Sequence, residues 1–394
     1  MPHAADAPLP SPEKADLSNW RTAPFSRWAF RNIREIIPSD HIANIPSTPW
    51  ALPTAGLPMD EFRLPSGDGS FLGLNDVLKA TATDGLVVLL DGRIVHEFYD
   101  NGLEEHTPHI LMSATKSVVG LVAGILQGQG GLDVDALVSS YVPEITHTAY
   151  QGATVRHLLD MRAGIVLDDG QQRAYGAATN WDPPLPGGSP ADLHSFFETM
   201  SASPTGHGGP FSYVSANTDL LGWVIERATG RTFASLASAL LWRPMGAEDA
   251  GSITVDGKGA PRCTGGLCAT TRDFARIGQL LVQQGSRGSV EIVPTAWIDD
   301  LTNNGDPAAW KEGGFAQAFA GMNMRYRSGW YVVDDEPRTL FAMGIHGQNL
   351  FVDRANRLVV AKVSSQGNPL DYQAVAMTHR AVAEIRRCLL AACP

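Results

Sequence analysis

The stretch LMSATKSVVG, residues 111–120, places a serine and a lysine three positions apart at the start of an apolar segment. Positions i and i+3 of an α-helix share one face, so the ammonium group of Lys116 can reach the hydroxyl of Ser113. A serine hydroxyl becomes a strong nucleophile when a base takes its proton, and a lysine is that base only if its pKa is lowered. The stretch therefore predicts a nucleophile and its base at a helix start. The alternative is a lysine that extends its charge to solvent.

Composition limits the classes of protein to which the chain can belong. Its 394 residues are 44% hydrophobic and 18% charged, which is typical of a globular protein of one or two domains. A net charge of −11 disfavours nucleic acid and anionic membranes as partners. The longest apolar helical segment, 118–126, is too short to span a bilayer. The N-terminus lacks the pattern of a signal peptide, which predicts a cytoplasmic protein, with a secreted form lacking its leader as the alternative.

The four cysteines form two pairs in the sequence, Cys263 with Cys268 and Cys388 with Cys393. Neither pair has a histidine nearby at the spacing of zinc ligands. We therefore expect free thiols, with disulfide bonds or metal binding as the alternative. The sequence predicts no metal site and no cofactor.

Strand patterns occur early and late in the chain. The apolar runs 85–90 and 93–99 flank an Asp-Gly turn, which is typical of a β-hairpin. Three β-rich runs follow at 338–343, 349–353 and 358–364. These segments predict one antiparallel sheet of five or more strands.

Helical patterns occupy most of the intervening sequence and both flanks of the sheet. The predicted helices are 73–82, 113–128, 154–161, 190–201, 215–229, 232–241, 271–284 and 371–390.

The order of these elements predicts an α+β fold. We expect an N-terminal arm over 1–45 and a single catalytic domain over 46–394. In this domain, an α/β body formed by 46–105 and 286–394 carries the sheet with its flanking terminal helices. An all-α lobe, 106–285, is inserted into the body, and a cleft between such lobes is a common site for a small molecule.

Two further motifs contain groups suited to catalysis. In FSYVSAN, residues 211–217, a tyrosine close to a lysine can pass a proton to a leaving group, although ordinary packing of Tyr213 is the alternative. In GIHGQN, residues 344–349, glycines next to a strand let a ligand approach backbone N–H groups that suit an oxyanion hole. A turn with a hydrogen-bonded His346 is the alternative.

The three motifs resemble those of a known superfamily. SATK at 113–116, YVS at 213–215 and HGQ at 346–348 have the order and spacing of the motifs of serine β-lactamases and penicillin-binding proteins. Those motifs are Ser-x-x-Lys, Tyr-x-Asn or Tyr-x-Ser, and Lys or His followed by x-Gly. The segments between them resemble class C β-lactamase-like enzymes, at 154–165, 223–230 and 265–276. The resemblance covers about 85–380 and implies a β-lactamase-like fold.

Within that superfamily the chain resembles the 6-aminohexanoate-dimer hydrolases, which cleave nylon oligomers. The supporting runs include the N-terminal arm, which other β-lactamases do not share: WAF at 28–30, ILMS at 110–113, SANTD at 215–219 and GIHGQNL at 344–350.

The resemblance implies a role for several residues. Ser113 is the nucleophile, Lys116 its general base, and Tyr213 relays a proton to the leaving group. The backbone N–H groups of Ser113 and Gln348 form the oxyanion hole, and Trp330 is a wall of the substrate pocket. The resemblance also allows for a homodimer.

Departures from the family patterns affect the expected substrate. His346 stands where β-lactamases have a lysine that contacts the drug carboxylate, and Gln348 stands where they have glycine, which disfavours strong β-lactamase activity. Thr264 stands where the nylon-oligomer hydrolases have asparagine. The acidic residue that holds the substrate amine in that family falls within 168–182, where Asp168, Asp169 and Asp182 are candidates. The expected substrate-binding residues are His346, Gly347, Ser215, Trp330, Thr264 and Asp169.

We therefore expect a serine hydrolase with an acyl-Ser113 intermediate. Its substrate is expected to be a small linear molecule, either an amide like a 6-aminohexanoate oligomer or a short-chain acyl ester. The first alternative is a β-lactamase or a D-amino-acid peptidase. The second is a non-catalytic binding protein of the same fold.

Overall fold

The computed structural model describes residues 15–57, 59–188, 190, 192–201 and 206–392. The first 14 residues of the predicted arm, and Cys393, lie outside the described residues. The other three cysteines, Cys263, Cys268 and Cys388, are buried free thiols.

The described strands run from two to eight residues in length. They are β1 (Ser39–Ile42), β2 (Leu64–Pro65), β3 (Phe71–Leu72), β4 (Thr83–Leu90), β5 (Arg93–Tyr99), β6 (His109–Ile110), β7 (Gly251–Thr254), β8 (Leu267–Ala269), β9 (Ser286–Arg287), β10 (Val290–Glu291), β11 (Met324–Arg327), β12 (Trp330–Val333), β13 (Thr339–Gly344), β14 (Gln348–Asp353) and β15 (Leu358–Ser364).

Seven of these strands form the central antiparallel sheet, in the order β11-β12-β13-β14-β15-β4-β5. The predicted hairpin is β4 and β5, and the three predicted late strands are β13, β14 and β15, which confirms these predictions. The strands that come late in the sequence join the early hairpin through β15, which pairs with β4. The sequence pattern did not indicate β11 and β12, which extend the sheet beyond β13.

The α-helices pack around and between the sheets. They are α1 (Ser26–Ala29), α2 (Leu74–Ala80), α3 (Thr115–Gly128), α4 (Val138–Tyr141), α5 (Val155–Leu159), α6 (Asp169–Ala178), α7 (Leu193–Glu198), α8 (Ala216–Thr229), α9 (Phe233–Leu236), α10 (Arg243–Met245), α11 (Thr271–Val282), α12 (Thr295–Asn303), α13 (Pro307–Glu312) and α14 (Tyr372–Ala392). A π-helical segment, Ala237–Trp242, joins α9 to α10. Each predicted helix overlaps an observed one.

The central sheet is buried on both faces, as β15 shows. Because successive side chains of a strand point to opposite faces, Val359, Ala361 and Val363 pack in the core that contains α3 and α11. Leu358 and Val360 pack on the other face, in the core that contains α2 and α14. Helices on both faces explain why these strands are continuous apolar runs rather than alternating ones.

The predicted all-α lobe, 106–285, is not all helical, because it contains β6, β7 and β8. These strands form a second antiparallel sheet in the order β1-β7-β8-β6. Strands of two to four residues are too short to show a periodic pattern, so they could not be distinguished from loops in the sequence.

The described part of the predicted arm, 15–45, packs against the rest of the molecule. Trp20 and Phe30 are buried in a small core with Trp181, and the Trp20 indole donates to the Trp181 carbonyl at 2.9 Å. β1 from this segment pairs with β7. The division of the chain into an arm and one catalytic domain stays a prediction.

Among the described residues, no helix has both the length and the apolar character needed to cross a bilayer. In the same part of the chain, no group of three or more His, Cys, Asp or Glu side chains could hold a metal ion.

Candidate active site

Ser113 lies in a tight turn at the start of a buried helix. The 3₁₀ turn Met112–Ala114 leads directly into α3, and Met112 has a φ of +47°. A left-handed conformation in a residue other than glycine costs of the order of 1–3 kcal/mol and is common at functional sites. The turn leaves Ser113 partly exposed at the walls of two cavities, while its neighbours Met112 and Ala114 are buried.

Lys116 lies one turn further along and is in contact with the serine. Its Nζ atom donates to Ser113 Oγ at 3.0 Å and to the Thr264 carbonyl at 2.8 Å. The side chain is 2% exposed. Burial holds the pKa of Lys116 well below its usual value, because the charged form has lost its hydration, and the positive charge of Arg262 lowers it further against the opposing effect of Asp219. The predicted contact between serine and lysine is confirmed, and the lowered pKa makes this lysine easier to deprotonate than a lysine at the surface.

Asp219, which the sequence analysis did not single out, positions the Thr264 carbonyl that binds Lys116. Its Oδ1 atom accepts from the Thr264 backbone N–H at 2.8 Å, and its other oxygen pairs with Arg262. Arg262 also contacts the hydroxyl of Tyr175, and all of these side chains are buried. An acid on the apolar helix α8 was the sequence signal that could have indicated this network.

Tyr213 completes the group around the nucleophile. Lys116 Nζ lies 4.8 Å from the centre of the tyrosine ring, and Tyr213 lines the apolar cavity together with Ser113. Burial raises the pKa of Tyr213, and its interaction with the Ser113 hydroxyl partly opposes this rise. The ring is stacked on Phe315 with a centroid distance of 5.1 Å. Tyr213 is therefore a fixed neutral phenol that can donate a proton beside the serine.

The end of β13 packs against the backbone of the nucleophile. A Cβ atom at Gly344 would lie 2.6 Å from the Leu111 carbonyl and 3.0 Å from the Ser113 nitrogen, so only glycine permits this approach. Ile345, the next residue, lines both cavities together with Ser113. This edge of the sheet is where a backbone N–H can face a substrate carbonyl.

The resemblance assigns the backbone N–H of Gln348 to the oxyanion hole, and the side chain of this residue is held within the protein. It is fully buried, donates to the carbonyls of Ser364 and His346, and accepts from the Ser364 backbone N–H. Gln348 lines neither cavity, because it lies beyond the turn at the start of β14. Within the loop after β13, Ile345 is a residue that lines both cavities.

Two cavities of different chemistry meet at Ser113. The apolar chamber has a volume of about 150 Å³, and none of the described residues in its wall is charged. It is lined by Ser113, Tyr213, Phe315, Tyr331, Met343, Gly344, Ile345, Gly347, Asn349, Gln366, Pro369, Leu370, Val375 and Thr378. The polar chamber, of about 210 Å³, is lined by Arg21, Met112, Ser113, Gln172, Tyr175, Gly176, Trp181, Asp182, Ser215, Arg262, Thr264, Gly265 and Ile345. A linear substrate with its scissile bond at Ser113 can place one half in each chamber.

His346, predicted to bind substrate, lines neither chamber. It is fully buried, its ring contacts Phe30 at 5.1 Å, and Nδ1 bonds the Gln366 carbonyl at 2.7 Å. Its backbone N–H donates to Pro369. A φ of +62° directs the side chain into the core, where burial lowers its pKa. His346 therefore fixes the loop after β13 instead of contacting substrate.

Trp330, the predicted pocket wall, also lies elsewhere. It is fully buried on the α3 side of the sheet, and its indole donates to the Ser117 carbonyl at 3.2 Å. Because neighbouring residues of a strand face opposite ways, Tyr331 and not Trp330 lines the apolar chamber.

The other predicted binding residues divide between the chambers and the surface. Ser215 and Thr264 line the polar chamber, and Gly347 lines the apolar one. Asp169 is exposed in the first turn of α6 and lines neither chamber. Of the other two acids considered, Asp168 is the N-cap of α6, and Asp182 lines the polar chamber.

Comparisons with known proteins identify the family of the chain. A model of the Beta-lactamase family matches residues 76–384. The chain is 32% identical to 6-aminohexanoate-dimer hydrolase from Paenarthrobacter ureafaciens over 378 residues, which cover 93% of this chain and 92% of the relative. It is 30% identical to Esterase EstB from Burkholderia gladioli over 165 residues, which cover 39% of this chain and 41% of the esterase.

A solved structure from Bacillus anthracis, provisionally described as a 6-aminohexanoate-dimer hydrolase, matches with a TM-score of 0.89 and 25% identity. The match covers 97% of this chain and 99% of the other. These similarities confirm the predicted β-lactamase-like fold and show a hydrolase with amidase and esterase relatives. The chain belongs to the 6-aminohexanoate-dimer hydrolase family within the β-lactamase superfamily.

Proposed function

We propose that the protein hydrolyses an amide or ester bond of a small linear substrate through an acyl-Ser113 intermediate. The observation that carries this proposal is the 3.0 Å contact between Lys116 Nζ and Ser113 Oγ, made by a buried lysine with a lowered pKa at the meeting point of two chambers. The hydrolase relatives named for an amide dimer and for an esterase support both bond types.

In the acylation step, neutral Lys116 takes the proton of Ser113 as Oγ attacks the carbonyl carbon. The backbone N–H groups of Ser113 and Ile345 stabilise the negative charge that develops on the carbonyl oxygen. Tyr213 donates a proton to the departing nitrogen or oxygen as its bond to the carbonyl carbon breaks. The proton held by Lys116 then returns to the Tyr213 oxygen, which restores the neutral lysine and the neutral phenol.

In the deacylation step, a water molecule attacks the acyl carbon in place of the departed group. Lys116 takes a proton from this water, the ester bond to Ser113 breaks, and the same proton passes from Lys116 to Oγ. The products are a carboxylic acid and an amine or alcohol, and no cofactor takes part in either step.

The alternative substrates, β-lactams and D-amino-acid peptides, are less well supported by the third motif. His346 is buried against Phe30 with a lowered pKa, so it offers no cation at the position where β-lactamases contact the drug carboxylate. Retention of the Ser113, Lys116 and Tyr213 group disfavours a non-catalytic binding protein.

The proposal is tested by reacting the protein with a fluorophosphonate, followed by intact mass spectrometry and peptide mapping. We expect a single adduct on Ser113, no adduct in Ser113→Ala, and loss of ester and amide turnover in that variant. Ser117→Ala is the matched control, because Ser117 lies on the same helix but donates to the Gly329 carbonyl in the core. Its adduct on Ser113 should persist. Near-normal turnover by Ser113→Ala, or an adduct on another residue, would overturn the proposal.

A further inference from the structure

An ion pair lies in the wall of the polar chamber, close to the nucleophile. Arg21, from the N-terminal segment, pairs with Asp182, which follows α6, and both residues line this chamber together with Ser113. Their side chains are 34% and 40% exposed, so both charges remain accessible from the chamber. A substrate group that enters the chamber therefore meets a paired carboxylate and not a single negative charge.

Two tryptophans hold the guanidinium group of Arg21 in place. Its central carbon lies 5.4 Å from the ring centre of Trp20 and 5.9 Å from that of Trp181. The two rings meet edge to face at 5.1 Å, and the Trp20 indole bonds the Trp181 carbonyl. Because cation–π contacts favour a charge held over an aromatic face, Arg21 is positioned by packing as well as by its ion pair.

Asp182 is placed equally closely. Its backbone N–H donates to the Gly176 carbonyl at 3.2 Å, and its carboxylate lies against the Cα of Gly176, where a Cβ atom would collide with it. The acid is therefore fixed beside the chamber at the end of α6.

The other charged groups near the chamber are already paired or neutral. Arg262 lines the chamber but pairs with the buried Asp219. Lys116 has a pKa held well below its usual value by burial. Among the described residues of the chamber wall, Asp182 is thus the one carboxylate that could bind a substrate cation, and Arg21 neutralises it.

We propose that Arg21 is a specificity-determining residue that makes the polar chamber reject ammonium groups and accept hydrogen-bond acceptors, either carboxylates or neutral carbonyls. An ammonium group would have to displace Arg21 from Asp182 and remain beside a like charge. An acceptor would not, because a guanidinium has five N–H donors in a fixed fork and can bond Asp182 and a second acceptor together. The substrate class is a linear ester or amide that carries a hydrogen-bond acceptor at the end that enters the polar chamber. This inference rests on the proposed function.

The test uses two series of esters that differ only in the end of one chain: methyl, carboxylate or ammonium. One series carries this end on the acyl chain and the other on the alcohol. The quantity measured is the ratio of kcat/KM for the charged ester to that for its methyl counterpart, within one variant, so that any general loss of activity cancels. The series whose end enters the polar chamber is the one that responds to Arg21.

In that series we expect Arg21→Gln to raise the ammonium ratio on the order of tenfold and to lower the carboxylate ratio. Arg21→Lys, which keeps the charge, should stay within about threefold of the wild-type ratios. Adding Asp182→Asn to Arg21→Gln should abolish the gain for ammonium esters, because no carboxylate then remains in the chamber wall. An unchanged ammonium ratio in both series, with Arg21→Gln folded, would overturn the inference.

Asp182→Asn alone supplies an independent readout should Arg21→Gln fail to fold. It leaves Arg21 unpaired and should raise the carboxylate ratio, and no change in that ratio would also overturn the inference. If the proposed function is wrong, the results differ: the wild-type protein would neither hydrolyse the methyl esters nor form an adduct on Ser113.

Discussion

The molecule contains two buried lysines whose surroundings differ in one decisive respect. Lys116 is 2% exposed and Lys362 is 3% exposed, and burial is the main cause of the lowered pKa of each, which for Lys362 is about 7. Lys116 donates to Ser113 Oγ at the meeting point of the two chambers. Lys362, on β15, donates instead to Ser364 Oγ and to the Gly347 carbonyl at 3.4 Å, and it lines neither chamber.

The comparison separates two requirements for a lysine that acts as a base. Burial alone lowers the pKa of a lysine towards neutrality, and both lysines meet this condition. A base must also contact a hydroxyl that a substrate can reach, and only Lys116 does so. Lys362 is a structural residue that ties β15 to the loop after β13.

The largest expected effect is the difference in catalytic activity between variants that lack one or the other of these lysines. Lys116→Met removes the proposed base, and we expect kcat/KM for a neutral ester to fall on the order of 10³-fold or more. Lys362→Met, which deletes an equally buried amine, should cost less than about tenfold, because its partners are not at the reacting atoms. Steady-state kinetics of both variants measure this difference. Equal losses would show that burial, and not the contact with Ser113, is what matters.

The two tyrosines of the apolar chamber allow a second comparison. The pKa of Tyr213, which burial raises, is partly lowered by its interaction with the Ser113 hydroxyl, whereas the buried Tyr331 hydroxyl has no hydrogen-bond partner among the described residues. Tyr213→Phe should lower kcat on the order of 10²-fold, because the leaving group loses its proton donor. Tyr331→Phe should cost at least about tenfold less. A nitrophenolate leaving group departs without a proton, so the loss of kcat in Tyr213→Phe should come closer to that in Tyr331→Phe for an ester of nitrophenol. An equal gap between the two variants for both kinds of ester would contradict the proton-donor role.

The pH dependence of hydrolysis sharpens the comparison of the lysines. Protonated Lys116 cannot accept the serine proton, so kcat/KM should rise about tenfold per pH unit below its lowered pKa and then level off. A pH profile of kcat/KM for the wild-type protein with a neutral ester measures this rise. In Lys362→Met the rise should occur over the same pH range. A rise that shifted to another pH range or disappeared in that variant would assign the titration to Lys362.

Sequence reasoning succeeded where the determining pattern is local. The three-residue spacing of Ser113 and Lys116 fixes their contact, and the apolar runs around an Asp-Gly turn fix the hairpin of β4 and β5. The sequence alone left Tyr213 as either a proton donor or an ordinary packed residue, and the resemblance to a family motif favoured the first, because Tyr213 and Ser113 lie far apart in the sequence and meet only in the folded chain.

The missed features depend on strand register or on distant contacts. A displacement of one residue decides that Tyr331, and not Trp330, faces the apolar chamber. A positive φ at His346 decides that its ring faces the core. The pairing of Arg21 with Asp182 joins residues 161 positions apart, which no periodic pattern can indicate.

The smallest expected effect is on the pH dependence of the free energy of unfolding, to which the two lysines should contribute with the same sign. Because the pKa of Lys362 is about 7 in the folded protein and 10.5 in a free lysine, the unfolded chain binds more protons between these values. The lysine should therefore make the free energy of unfolding rise with pH across this window, by roughly 1.4 kcal/mol per unit, and this contribution is lost as pH falls towards 7. Lys116 should add a contribution of the same sign, since its pKa is lowered too.

Urea unfolding of the wild type and Lys362→Met at pH 6, 8 and 10 measures this dependence. We expect the variant to show a shallower rise, and its stability relative to wild type to be greatest at pH 6, where the buried lysine is charged and a methionine of similar size is not. Lys116→Met should flatten the dependence in the same direction while also removing activity. A variant that kept the full wild-type slope would mean that the lysine it lacks does not lose its proton in this window, and for Lys116 that result would also remove the neutral base from the proposed mechanism.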